Sequence, residues 1–194
     1  MKHPRRKDTA RRQRPLPMPS VLASTCPYIV TIDKQEKDAH DFSNIRDPIT
    51  GQRMIVPTET IHIPAGDYSI RLRSDPLVVD WYDRVAVERK SMADLFASFM
   101  GDGREREERK LAKLNELEFA AYVVEGSIED LLAYRCDFLP PATDQALRAQ
   151  KMRNAIFKFQ VSQFPRVHWI FDRQAEMATW RVLDWFYRNS LSKG

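Results

Sequence analysis

The sequence predicts an α/β fold in which a mixed central β-sheet is flanked by helices. Three observations predict it. Short apolar, β-branched runs recur at 28–32, 68–72, 85–89, 119–125 and 167–171. Amphipathic stretches with helical spacing separate the later runs. Strands divided by helices in the second half point to a layered α/β sandwich with right-handed crossovers. At 194 residues, with 43% hydrophobic and 30% charged side chains, the chain suits a single domain with a real core.

Residues 1–26 are read as a disordered basic tail and 27–194 as the folded domain. The tail holds four prolines (Pro4, Pro15, Pro17, Pro19) and little that could build a core. Tyr28 to Ile32 is the first strand, read as central. Residues 33–57 are polar and loop-rich, with Asp47-Pro48 and Thr50-Gly51 marking turns. Thr58 to Ile63 alternates polar and apolar side chains and is read as an edge strand. Gly66-Asp67 turns into the strand Tyr68 to Leu72. Ser74-Asp75-Pro76 breaks it, Leu77 to Tyr82 is a further strand, and Val85 to Arg89 is the next.

Ser91 is placed to cap a helix, with Asp94 three residues on and Leu95, Phe96 and Phe99 as its apolar face. Gly101-Asp102-Gly103 ends it. Arg104 to Leu117 is a charged amphipathic helix with Leu111, Leu114 and Leu117 on one side. Phe119 to Glu125 is a core strand. Ser127 caps a helix to Tyr134, Pro140-Pro141 stops the chain, and Thr143 starts a helix to Gln160. Val167 to Phe171 is the last strand, and Arg173 to Tyr187 the closing helix, carrying Met177, Trp180, Leu183 and Phe186.

Composition narrows the function classes. The net charge of +4 is unevenly placed: seven bases stand against Asp8 in the first fourteen residues, so the rest of the chain is slightly acidic. Such a tail binds polyanions without sequence preference. No apolar run is long enough to span a membrane, and the N-terminus lacks the apolar core of a secretory signal. Cys26 and Cys136 are read as buried free thiols in a reducing cytoplasm. They form no zinc cluster, and the four histidines have no metal-binding spacing.

The chemistry concentrates in Gly66-Asp67 and in Glu88-Arg89-Lys90-x-x-x-Asp94. Asp67 opens one strand and Glu88 closes another. In an antiparallel pair a start and an end lie side by side, so both carboxylates can share one ion. Glu88 follows Val85-Ala86-Val87 and therefore stands next to the core, where an unpaired acid is costly. Two or three carboxylates with a phosphate oxygen suffice for Mg²⁺, and Lys90 adds a point charge where negative charge grows during phosphodiester cleavage. No cysteine, Ser–His or His–His arrangement competes as a nucleophile.

These residues resemble the nuclease signature of XPF-type (ERCC4-domain) structure-specific endonucleases: Gly-Asp, a variable stretch, then Glu-Arg-Lys-x-x-x-Asp. The four fixed residues of the second block arise by chance in roughly one chain in a thousand of this length. Ile29 to Glu36 is similar to the family's first strand and its D-x-R-E ending, and the resemblance runs from about residue 27 to about residue 190. It implies a restriction-endonuclease-like three-layer sandwich and Mg²⁺-dependent DNA cleavage, with Mn²⁺ as a substitute, in repair, recombination or phage replication. Asp67 and Glu88 match the main metal-binding carboxylates. Asp33 would complete the acidic cluster, and Glu36 would hold a metal-bound water.

Lys90 would stabilise the attacked phosphate, so Asp67, Glu88 and Lys90 are the expected catalytic set. Arg89, Arg104 and Gln35 fall at positions near the DNA path, although Gln35 stands where the family has Arg. Asp94 supports the loop or, equally, caps the helix after Ser91. Glu107 and Glu125 are further acids that could face the site. The resemblance also implies branched DNA as partner, a homodimer through the C-terminal helices, and a cytoplasmic, nucleoid-associated location. The family's tandem helix-hairpin-helix module is not expected within this sequence. Two rivals stand beside this reading: an inactive nuclease-fold protein that binds DNA or serves as scaffold, and a restriction-type or general DNase on the same fold.

Overall fold

The computed structural model describes residues 24–73, 78–100, 103–134 and 145–192. The basic segment up to residue 23, Cys136, Pro140-Pro141 and Thr143 lie outside the described residues. Strands are β1 (Ser24–Thr25), β2 (Tyr28–Asp33), β3 (Met54–Ile55), β4 (Thr58–Ile61), β5 (Tyr68–Arg73), β6 (Val78–Asp80), β7 (Val85–Ser91), β8 (Phe119–Glu125) and β9 (Val167–Asp172). Helices are α1 (Met92–Met100), α2 (Arg104–Asn115), α3 (Ile128–Ala133), α4 (Gln145–Lys158) and α5 (Ala175–Leu191).

The main sheet runs β4-β2-β5-β7-β8-β9, with β6 on the far part of β5. It is mixed, as expected. β2 is antiparallel to β5 and β5 to β7, whereas β7, β8 and β9 run parallel and β4 runs parallel to β2. β4 is the edge strand that its alternating side chains predict. β8 is buried without interruption from Ala120 to Val124, because helices cover both of its faces. On one face α5 packs Trp180, Leu183 and Ala178 onto Val85, Val87, Ala121 and Val123. On the other, α1, α2 and α4 pack Leu95, Phe96, Leu111, Leu114 and Met152 onto Ala86, Ala120, Tyr122 and Val124. Each large side chain fully buried this way contributes roughly 1.5–3 kcal/mol.

Caps fall where the sequence places them. Ser91 Oγ accepts from the Asp94 N–H at 3.1 Å and donates to the Asp94 carboxylate at 2.7 Å. Ser127 and Asp130 form a reciprocal capping box on α3. Cys26 is buried and free, and burial pushes its thiol up to about 11.

Three details differ from the sequence expectation. The loop 33–57 contains β3, which pairs in parallel with β1 inside the segment read as tail (Ser24↔Met54, Thr25↔Ile55). The helix after residue 144 loosens into a π-helical turn at Phe159–Gln163, closed by the Phe164 N–H donating to the Phe159 carbonyl. The closing helix starts at Ala175, because Asp172 takes the Gln174 N–H at 2.8 Å and Arg173 turns out to Asp130 at 2.8 Å.

Candidate active site

β5 and β7 share one register pair, Tyr68↔Val87. Continued by one residue, that register sets Asp67 opposite Glu88. Gly66 makes the approach possible. Its φ is +79°, and a Cβ there would lie 3.0 Å from both the Ala86 Cβ and the Val87 carbonyl oxygen. The Asp67 N–H donates to the Val87 carbonyl at 2.8 Å, and its carboxylate accepts the Arg89 N–H at 2.8 Å. A side-chain oxygen thus takes the bond that a longer ladder would have given to backbone. Burial first, then the neighbouring Glu88 charge, push the Asp67 carboxyl up to about 7.

The period of two along β7 sorts its charged residues onto opposite faces. Glu88 and Lys90 follow Ala86 onto the α2 side. The Glu88 side chain is 3% exposed and that of Lys90 11%. The Lys90 ammonium stands 3.4 Å from Glu88 Oε1 and 3.3 Å from Glu107 Oε2. Glu107 comes from α2, is itself buried, and accepts the Tyr122 hydroxyl at 2.7 Å. Lys110, also from α2, donates to Glu88 Oε1 at 2.6 Å. Burial works against the Lys110 charge, but Glu88, Asp67 and Glu107 together more than offset it, so its pKa lies above the usual lysine value.

Arg89 goes to the α5 side. Its Nε donates to Glu125 at 2.6 Å, and its Nη1 donates to Glu36 at 3.1 Å and to the Asp38 carbonyl at 2.7 Å. The side chain expected to contact DNA is thus taken up inside, tying β7 to β8 and to the loop after β2. Glu36, expected to hold a metal-bound water, is committed to Arg89 and to the Asp38 N–H at 3.0 Å. Asp33 lies at the end of β2 beside the turn: its backbone N–H donates to the Asp67 carbonyl at 2.8 Å. Its two carboxylate oxygens accept the N–H groups of Gln35 (2.7 Å) and Ile63 (2.8 Å), so it organises two loops.

Asp33, Gln35, Glu36, Asp67, Glu88, Arg89, Lys90 and Asp94 all line one polar cleft of about 690 Å³. Within it Asp67 stands opposite Glu88 by the β5–β7 register, and Glu88 accepts from Lys90 at 3.4 Å. Among the described residues no three His, Cys, Asp or Glu side chains are placed to hold a metal ion together. Asp67 and Glu88, set opposite each other by that register, are the pair that could hold one with water and substrate oxygens as the other ligands. Asp94 serves as the capping acid. Arg104 lies outside the cleft lining, pairs with Glu108 at 2.9 Å and stands over the Phe159 ring at 5.7 Å.

Lys110 is a site residue that the charge pattern of the amphipathic helix does not single out; with Arg106 and Lys113 it lines the cleft wall. A signal was present. Glu107, Leu111 and Leu114 follow the i, i+4, i+7 spacing of a buried stripe, so an acid occupies a core position and Lys110 adjoins it. Glu125 meets Arg89 rather than the acidic pair.

The ERCC4 domain family model matches residues 32–180. No curated protein matches the chain. Among solved structures it is similar to XPF from Aeropyrum pernix, at 20% identity and a TM-score of 0.49, covering 80% of this chain and 61% of that one. It is also similar to XPF from Aeropyrum pernix in complex with DNA, at 21% identity and a TM-score of 0.48, covering 82% of this chain and 65% of that one. The chain thus spans less than two thirds of the length of either.

Proposed function

Since the chain belongs to the ERCC4 domain family, we propose that it is a metal-dependent DNA endonuclease that hydrolyses phosphodiester bonds in branched or flapped DNA during repair, recombination or phage replication. The observation that carries this reading is the placement of Asp67 opposite Glu88, with the Lys90 ammonium 3.4 Å from Glu88 at the wall of an open polar cleft. The donor set is all oxygen, which suits Mg²⁺ or Mn²⁺, and two crowded carboxylates are the kind of pair a divalent cation relieves. Asp67 and Glu88 would hold it. When bound, such an ion supplies Lewis acidity toward a phosphoryl oxygen and a lowered pKa for water.

The remaining work falls to the protein's own side chains. Lys90 presents a fixed positive charge where charge accumulates on the phosphate. Glu107 and Tyr122 hold it there without reorganisation. Arg106, Lys113 and Lys37, exposed along the cleft, offer cations to backbone phosphates, which positions DNA without reading its sequence. A homodimer through the C-terminal helix finds support in an apolar groove formed by Phe119, Ile170, Val182 and Phe186 beside the exposed Trp185.

One observation favours a second reading. Glu88 already faces two ammonium groups, and among the described residues no three acids are placed to hold a metal ion together, which suits a nuclease-fold subunit that binds DNA without cutting it. Labelled flap, fork, bubble, four-way junction and linear duplex substrates in Mg²⁺ or Mn²⁺ decide, with wild type and Asp67→Ala side by side. The expected result is cleavage of branched substrates to 5′-phosphate and 3′-hydroxyl ends, lost in the variant. Binding without cleavage establishes the second reading, and equal cutting of linear duplex makes the protein a general DNase.

A further inference from the structure

Glu88 Oε1 receives two lysines that are held differently. Lys90 is pinned between Glu88 and Glu107 and is nearly enclosed. Lys110 makes the shorter contact, 2.6 Å against 3.4 Å, yet its side chain is 38% exposed, and among the described residues its ion pair is with Glu88. Its stem comes from α2 at the cleft wall, so it can swing out while Lys90 stays. We propose that Lys110 is a resident counter-ion that occupies the cation position on Glu88 and is displaced from it when a divalent ion binds, after which its ammonium is free for a phosphate of the substrate.

Charge bookkeeping supports the exchange. With Asp67 ionised, as a cation bound to it would require, Asp67, Glu88 and Glu107 bring three negative charges and the two lysines two positive ones. A divalent ion added on top of both lysines would leave an excess positive charge on a buried carboxylate cluster. Added with Lys110 withdrawn, it leaves the cluster neutral, and the departing ammonium meets water rather than protein. Low-dielectric surroundings make that difference count. In the absence of metal, Lys110 keeps Glu88 paired and in place beside Asp67. It is a positioning residue in that state and a phosphate-facing cation in the other.

The inference rests on the divalent-cation reading of this site, and one experiment separates the two. Mn²⁺ binding to the metal-stripped full chain, without DNA, is measured by calorimetry and by the electron paramagnetic resonance signal of free Mn²⁺. The proteins are wild type, Lys110→Gln, Lys110→Arg, Glu88→Gln and the Glu88→Gln/Lys110→Gln double variant. Removing a competing cation should tighten Mn²⁺ binding about fivefold in Lys110→Gln. Lys110→Arg should bind like wild type, and the double variant should show no gain over Glu88→Gln. The Mn²⁺-induced rise in Tm should be larger in Lys110→Gln than in wild type. Unchanged or weaker binding in Lys110→Gln, with wild type still binding, overturns the inference and leaves the metal site standing. No binding by any protein at millimolar Mn²⁺ removes the site reading and the inference with it.

Discussion

The Lys90 ammonium lies 3.3 Å from Glu107, a carboxylate carried in by a helix that starts thirteen residues after β7 ends. The helix therefore fixes the key cation of the strand. Glu107→Ala leaves the Tyr122 hydroxyl without its acceptor and Lys90 with Glu88 alone. Breaking a buried pair in this way costs about 3–5 kcal/mol. Urea unfolding should show that loss, with a smaller one for Glu107→Gln, which keeps an acceptor. Cleavage should fall in both, because Lys90 is no longer held.

Gly66→Ala tests the turn. The positive φ and the 3.0 Å approach to Ala86 and Val87 allow no Cβ without backbone movement. The variant should lose about 1–3 kcal/mol, seen as a lower urea midpoint. Its cleavage rate should fall by more than the unfolded fraction explains, because the turn aims Asp67.

The Asp67 carboxyl makes stability depend on pH. Its folded pKa, about 7, lies above the ordinary aspartate value of 3.8. Between these two values the folded state holds the proton and the unfolded state releases it. Stability from this group is fully present below pH 4 and is lost as pH rises through 7. Asp67→Asn keeps an acceptor for the Arg89 N–H and carries no charge. In EDTA it should unfold at a higher urea concentration than wild type at pH 8, by a few kcal/mol at most, with the gap closing toward pH 4. An equal gap at both pH values would mean that the charge is not the cause.

Arg89 joins Glu36 and Glu125 across the sheet end, so its removal strands two acids. Arg89→Gln should cost roughly 2–3 kcal/mol, measured by thermal or urea unfolding. DNA affinity of the folded variant at low salt should change little. A variant of wild-type stability that loses DNA affinity would instead place Arg89 on the substrate.

The parts of this molecule that could be read in advance are those with a period. Val85 to Ser91 announces a strand, and its alternation fixes which charged side chains share a face. Ser91 with Asp94, and Ser127, announce their helices through capping chemistry. β1 and β3 could not be read, since two-residue strands carry no periodicity and exist through each other. The commitments of Asp33 and Glu36 were hidden for another reason. An acid after a strand serves a loop or an ion equally well, and the choice is made by backbone N–H groups such as that of Ile63, thirty residues on. Lys110 was obscured by its neighbours, because a charged run on an amphipathic helix looks solvated whether or not one turn of it faces a cleft.

The single register pair between β5 and β7 has a wider consequence. A continuous ladder holds neighbouring backbones about 5 Å apart and zips their side chains shut. Here β6 takes the far part of the β5 edge, the backbone register with β7 is the single pair Tyr68↔Val87, and the Ser69 hydroxyl and the Asp67 carboxylate bond to the β7 backbone on either side of it. Side chains thus carry part of the pairing that backbone carries elsewhere in the sheet, and one of them is Asp67. Under the proposed function, extending the backbone seam would take the Arg89 N–H away from Asp67 and so loosen one of the two carboxylates proposed to hold the metal.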